Sequence, residues 1–345
     1  MLILGFESTA HTFGAAVVES KVDLSAAGKA KAHPLTPQNT KIISETDMKF
    51  PSLKEGFIPR RLADFHAKNF DRILDATLEK AKITLSDLDA VCYSYGPGIG
   101  HCLHLGHVAA KSISVSKNIP IMPVNHALSH IEIGRFLFSC KDPLAIYVSG
   151  GNTQIMVLEN GKKKRHYRVL GETLDIGLGN FLDHVGRHFQ LSPPDAVGVM
   201  NEAVNGKNLI DLPYIVKGMN ASFSGVLTAA IKLNPAKHSI SDICYSAQEY
   251  AFSALLEASE RALTLTRKRE IIGVGGNYRN KRLQEMTIEL AKEHDIGCCF
   301  PPFGLLGDNA GMITITGALQ FASNCYRKDT SHNQKARIDA EIVGW

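Results

Sequence analysis

The chain opens with short apolar runs around a polar turn, and the same arrangement returns about halfway along. Residues 2–6 (LILGF) and 13–18 (FGAAVV) flank ESTAHT, a pattern that predicts a β-hairpin with small hydroxyl residues at its tip. Residues 144–148 (LAIYV) and 154–158 (QIMVL) flank SGGNT at 149–153 in the same way. Two similar hairpins about 140 residues apart predict a duplicated α/β architecture in which each lobe begins with a turn that faces phosphate. A cleft between such lobes is the natural ligand site.

Between the hairpins the pattern predicts a loop-rich insertion over about 20–56, an amphipathic helix near 60–82, a strand at 90–95 and a helix after GPGIG at 96–100. The run IPIMPV at 119–124 reads as a buried strand. In the second half, residues 241–267 read as helix, and EIIGVGGNYRNKRLQEM at 270–286 as strand, glycine turn and helix. A glycine pair at a strand-to-helix turn lets backbone N–H groups approach a nucleotide. It equally serves a plain tight turn, for which glycine is the default residue. The helix near 60–82 packs either on its own lobe or on a partner subunit.

At 345 residues with 44% hydrophobic content, the chain is long enough for about two domains with sizeable cores. Charge is nearly balanced, with 38 Lys+Arg against 34 Asp+Glu and a net +4, which permits a local basic patch for nucleic acid without requiring one. The opening MLILGFESTAH has no basic n-region or small-residue cleavage site and is too short for a membrane span, so a cytoplasmic protein with no membrane partner is expected. Seven cysteines with no C-x-x-C pair argue against a disulfide framework or a zinc ribbon.

Candidate chemistry concentrates in PVNHALSHIEIGR at 123–135, where His126 and His130 stand four residues apart at the mouth of a helix. Residues at i and i+4 share one helix face, so both imidazoles can meet one metal ion, although an ordinary helix face has the same spacing. This is not the zincin H-E-x-x-H, because Ala127 stands where that motif needs Glu as general base. His101, His104 and His107 in HCLHLGH fall on one helical face without an accompanying carboxylate or cysteine, and read as a partly exposed surface. GKKKR at 161–165 reads as a solvated hairpin turn, with a nucleic-acid contact as the alternative.

Several stretches together resemble one family: GFESTAHTFG at 5–14, GPGIG at 96–100, NHALSHIEIGR at 125–135, YVSGGNTQ at 147–154, GETLDIGLGN at 171–180, LPYIVKGMNASFSG at 212–225, GGNYRNKRL at 275–283 and DNAGMI at 308–313. These are similar to the catalytic subunits of tRNA N6-threonylcarbamoyladenosine synthase, formerly known as O-sialoglycoprotein endopeptidases. The TAHT and HIEIGR wording looks like the archaeal and eukaryotic branch, which works inside the KEOPS complex. The resemblance implies an α/β, two-lobed fold of the actin, Hsp70 and sugar-kinase (ASKHA) type. The lobes would be residues 1–134, with 320–345 as a candidate completion, and 135–319. It also implies threonylcarbamoyl transfer from threonylcarbamoyl-AMP to N6 of the adenosine beside the tRNA anticodon, position 37. The implied partners are tRNA and the other KEOPS subunits, one small and dimeric and one small and protein-kinase-like.

By the same resemblance, His126, His130, Asp308 and Tyr147 would hold one divalent ion. Two imidazoles, a carboxylate and a phenolate suit Fe(II), with Zn(II) second, better than calcium or magnesium. An adenine nucleotide would lie in the cleft against Tyr147, Val148 and the backbone N–H groups of Ser149, Gly150 and Gly151, with Asp183 on the ribose and Asn277 on the adenosine moiety. Glu7, in the first hairpin, would orient phosphates or solvent, or simply end the strand.

One segment departs from the pattern. The family carries P-G-G-P-x-x-E shortly after the aspartate matched by Asp183, and PDAVGVM at 194–200 stands there instead, with Ala196 for a glycine and Met200 for the glutamate. Both sites contact the ribose in the family pattern, and Asp195 or Glu202 are the nearby groups able to compensate. Ser129 and Asn309-Ala310 replace two further family residues, a glycine and N-G. The departures leave an alternative: a nucleotide- and metal-binding scaffold of the same complex with reduced or no catalysis. A sugar kinase or chaperone-like ATPase fits the hairpins but not the His126, His130 and Asp308 set.

Overall fold

The computed structural model describes residues 1–22, 35–51, 58–160 and 165–345. The first hairpin is β1 (Leu2–Glu7) and β2 (Thr12–Ser20), paired antiparallel from Leu2 opposite Glu19 to Glu7 opposite Gly14. The expected insertion over 20–56 is not all loop. It contains β3 (Thr40–Lys49), antiparallel to β2, while 23–34 and 52–57 lie outside the described residues. Along TKIISETDMK only Thr40 and Ser44 are buried and the other positions are half-buried or exposed, as in an edge strand, a signal its high polar content hides.

The chain continues through α1 (Pro59–Ala81), β4 (Ala90–Gly96), α2 (Gly100–Lys117), β5 (Ile121–Asn125) and α3 (His126–Phe138). α1 starts on a proline in its first turn and ends in left-handed Lys82; Leu62, His66, Ile73, Leu74 and Thr77 are buried on its own lobe, and the opposite face is exposed. The second hairpin is β6 (Leu144–Val148) and β7 (Thr153–Asn160), extended by β8 (Arg165–Glu172). Of GKKKR, only Arg165 lies within the described residues.

Then come α4 (Leu178–His188), α5 (Ala196–Ala203), a small β9–β10 hairpin (Val216–Lys217 and Asn220–Ala221), α6 (Ser224–Lys232), α7 (Ile240–Thr266), β11 (Glu270–Val274), α8 (Lys281–Glu293), β12 (Gly297–Cys299), the short α9 (Phe303–Leu306) and α10 (Ala310–Ala322). Among the described residues, no helix is long and apolar enough to cross a membrane.

The two main sheets have the same construction. The first runs β3-β2-β1-β4-β5 and the second β8-β7-β6-β11-β12 when read from its antiparallel edge; in each, a three-stranded antiparallel meander is followed by two parallel strands. This is the duplication that the hairpins predicted. Apolar residues of α3, α10 and both sheets form one core between the sheets, including Leu128, Ile131, Tyr147, Ile272 and Ile313. A second core lies under α1 and α2 and a third under α4 to α7. The expected lobe boundaries at 134 and 319 therefore fall inside α3 and α10. Both helices sit in the middle layer, because each covers apolar surface that the facing sheets would otherwise expose to water.

Candidate metal and nucleotide site

Strand β5 runs directly into α3, and Asn125 caps the helix by accepting a hydrogen bond from the Leu128 N–H at 3.2 Å. His126 therefore stands on the first residue of the helix and His130 one turn on, with ring centroids 4.8 Å apart and nearly perpendicular. Asp308 comes from the other side, on the residue before the α10 cap, where Asn309 accepts from Met312 N–H at 2.8 Å. Its Oδ1 lies 3.5 Å from His126 Nε2 and 3.4 Å from His130 Nε2. The ligand atoms of these three residues all fall within 4.8 Å of one another, a group able to hold a metal ion.

A chemical observation supports that capacity. Both ring nitrogens of His130 are buried without a hydrogen bond, although Asp308 is near. A buried polar atom with no partner is costly, and a bound cation would satisfy it. The fully buried Glu7 carboxylate stands behind His126, its Oε2 accepting from His126 Nδ1 at 3.0 Å and its Oε1 from the Thr9 N–H at 2.7 Å and from the Thr9 hydroxyl. Burial works against charge on His126, yet Glu7 and Asp308 hold its pKa well above the ordinary value. Burial likewise opposes ionised Asp308, but the two histidines hold it well below the usual carboxylate range. Two carboxylates thus compete for one proton's charge, a balance that a divalent cation would complete. His130, pushed down by burial, stays neutral and able to donate its lone pair.

Tyr147, near the end of β6, lies against His130 with ring centroids 5.4 Å apart, and burial raises its phenol. The structure thus brings His126, His130, Asp308 and Tyr147 together. It gives Glu7 a different place from the one expected: with both oxygens committed to Thr9 and His126, it faces neither phosphate nor solvent and instead orients a histidine. Sequence reasoning also missed Thr9, whose hydroxyl lies 3.3 Å from His126 Nδ1, and His11, 3.9 Å from Asp308. Both are in the ESTAHT turn, so their residue types were visible while their reach was not.

Three and four residues beyond Tyr147 the β6–β7 turn exposes Gly150 and Gly151, where an added Cβ would meet nothing nearer than Asn180 at 3.5 Å. Of the three expected backbone donors, Ser149 N–H is already given to Asn152 O at 2.8 Å; those of Gly150 and Gly151 meet no described residue. The turn is held from below. Asn180 N–H donates to Gly150 O at 2.8 Å, and Asn277 Nδ2 to Ser149 O at 3.0 Å. Gly275 has φ +97°, and a Cβ there would fall 2.5 Å from Val148 O, so only glycine allows β11 to pass so close to β6.

Asp183 on α4 accepts from Ala196 N–H at 2.9 Å, and burial raises its carboxyl. The two candidate compensators are committed elsewhere. Asp195 caps α5, accepting from Val197 N–H at 2.9 Å, and Glu202 accepts from the Ser241 hydroxyl at 2.5 Å. Met200 opens on a cavity of about 790 Å³ lined also by Tyr245, Glu249, Arg279, Arg282 and Phe303. Ser129 is fully buried, its hydroxyl donating to His126 O at 2.7 Å.

Residues 40–315 match the family model for TsaD, the tRNA N6-adenosine threonylcarbamoyltransferase. The protein of that name from Thermococcus kodakarensis is 39% identical over 348 residues covering 100% of both chains, and the one from Staphylothermus marinus is 41% identical over 352 residues covering 99% of each. The chain belongs to the tRNA N6-adenosine threonylcarbamoyltransferase family. A relative from Methanococcus maripaludis, named as a probable bifunctional tRNA threonylcarbamoyladenosine biosynthesis protein, is 40% identical over 347 residues, which cover 100% of this chain and 60% of that one. Solved structures agree on the fold. The activator of 2-hydroxyisocaproyl-CoA dehydratase from Clostridium difficile with bound ADPNP has TM-score 0.51 at 12% identity, covering 95% of this chain and 100% of its own. Full-length HypF in its phosphate- and nucleotide-bound form has TM-score 0.58 at 10% identity, covering 92% and 55%. Nothing in these findings favours a threonylcarbamoyltransferase relative reduced to a scaffold.

Proposed function

We propose that this protein transfers the threonylcarbamoyl group from threonylcarbamoyl-AMP to N6 of adenosine 37, beside the tRNA anticodon, with one divalent ion held by His126, His130, Asp308 and Tyr147. The observation that carries the site assignment is the convergence of these residues around the partnerless nitrogens of His130. Mixed imidazole, carboxylate and phenolate ligands favour Fe(II), with Zn(II) next. When bound, such an ion supplies a Lewis acid that polarises the donor.

An exocyclic adenine amine is a weak nucleophile, so the chain's work is to hold donor and acceptor in line and to stabilise the leaving AMP. Gly150 and Gly151 offer two open backbone N–H groups to its phosphate. Asn277, fixed through Ser149 O, has its side-chain oxygen left for the adenosine moiety, and Asp183 has its second carboxylate oxygen for the ribose. Thr9 and Glu7 fix the His126 ring so that Nε2 faces Asp308. The adenine nucleotide lies in the cleft between the two lobes. Partners are tRNA and the other KEOPS subunits, and the compartment is the cytoplasm.

The test is threonylcarbamoyl transfer to unmodified tRNA by the purified chain with its partner subunits, before and after chelation and metal restoration. Transfer that stops on chelation and returns with Fe(II) or Zn(II) supports the proposal. Undiminished transfer by the metal-free protein removes the ion from the mechanism, and no transfer with all partners present favours the scaffold.

A further inference from the structure

Helix α2 presents His104 and His107 one turn apart, and the segment after α10 lays His332 against them. The His104 and His332 ring centroids are 5.4 Å apart and those of His107 and His332 are 6.0 Å apart. The potential ligand nitrogens of all three lie within 4.8 Å of one another. None of these nitrogens makes a hydrogen bond to a described residue. His332 came from the far end of the sequence, so HCLHLGH alone showed two-thirds of a site and no reason for it.

The cluster is held in place from both sides. Tyr93 stacks on His107 at 5.3 Å and donates its hydroxyl to Thr330 O, while Asn333 N–H donates to Tyr95 O at 2.7 Å. The backbone is thus pinned to β4 two residues before His332 and one after it. A Cβ on Gly96 would fall 1.9 Å from Asn333 O, so this close approach also depends on glycine, at φ +149°. Asp329 acts on His107 electrostatically, and a carboxylate or water would complete the donor set.

We propose that His104, His107 and His332 form a second metal site, which takes a zinc ion and fastens the C-terminal segment to α2. Three neutral imidazoles with a carboxylate or water are a zinc-type donor set. Zinc–nitrogen bonds of about 2.0–2.1 Å place tetrahedral ligands about 3.3 Å apart, so modest side-chain rotations close the present separations. Part of the cluster is exposed, which gives the ion a way in. The site shares no residue with His126, His130 and Asp308 and does not rest on their role.

The experiment uses the full chain, stripped with chelator, equilibrated with zinc chloride near neutral pH, freed of unbound zinc and assayed for retained zinc by mass spectrometry. Three proteins are compared: the parent, His126→Ala with His130→Ala, and that double variant carrying His104→Gln and His332→Gln as well. The proposal expects the double variant to retain one zinc per chain and the quadruple variant none. Tryptic cleavage after Arg327, Lys328 or Lys335 gives a second readout independent of counting. Zinc should slow it at least about tenfold in the parent and in the first double variant, but not once His104 and His332 are replaced. Retention of the same zinc after loss of His104 and His332, or a first double variant that binds none and gains no protection, overturns the site.

Discussion

His126 Nδ1 donates to Glu7 Oε2 across 3.0 Å, inside a pocket where the carboxylate has no exposure to solvent. The contact joins the end of the first strand to the start of α3. It sets the His126 tautomer and turns Nε2 toward Asp308, the arrangement in which an outer carboxylate orients a metal ligand. Glu7→Gln keeps the shape but removes the charge. Affinity for Fe(II) or Zn(II) at this site should fall about 10- to 100-fold, measured by chelator competition. An unchanged affinity would return Glu7 to a purely structural strand end.

Replacing His126 and His130 with Ala should empty the same site while leaving the fold in place. His130 makes no hydrogen bond to lose, whereas His126→Ala leaves the buried Glu7 carboxylate without its Nδ1 partner, so the thermal midpoint should fall by about 5–10 °C, nearly all of it from His126. Metal content is best read with His104→Gln and His332→Gln present, so that only one site is counted. A full equivalent of metal retained there would refute the assignment.

The 194–200 segment predicts a split result. Met200→Glu places an acceptor at the mouth of the Met200 cavity and should tighten adenine-nucleotide binding about 5- to 30-fold by calorimetry. Ala196 is the first residue of α5, so Ala196→Gly removes helix propensity, costs up to about 1 kcal/mol in stability and should add little to binding. If the pair binds no better than the parent, the ribose does not reach this segment.

His66 offers a pH test outside the proposed ligand set, although Glu7 and His11 act on it electrostatically. It is buried against Phe13 with both ring nitrogens unpartnered, and burial pushes its pKa down from 6.5 to about 4. The unfolded chain therefore binds a proton that the folded chain refuses. Its contribution is fully present above about pH 6.5 and is lost as pH falls toward 4, by roughly 3 kcal/mol. His66→Phe should be at least as stable as the parent near neutrality and show a flatter decline in denaturant midpoint on acidification. Parallel curves for the two proteins would mean that His66 does not titrate in this window.

Much of the fold was legible in the sequence because local patterning and local structure share a period. The two hairpins, α1, α2, β5, α7 and the β11–turn–α8 unit appear where alternation and helical spacing predict them. The resemblance pointed to the family that the comparisons bear out. The i, i+4 spacing correctly put His126 and His130 on one face, since helix geometry alone fixes that. β3 was missed because a two-faced edge strand has too few apolar residues to stand out from a loop.

Tertiary structure decided what spacing cannot. Asp308 reaches His126 and His130 only because α10 returns to the layer between the sheets, and Glu7 reaches His126 only because β1 ends beside α3. The same physics turned Glu7 away from solvent, committed Ser149 N–H to Asn152 and brought His332 onto α2. Residue type and periodicity are local properties written in the sequence, whereas burial and partnership depend on which distant segments share a desolvated space.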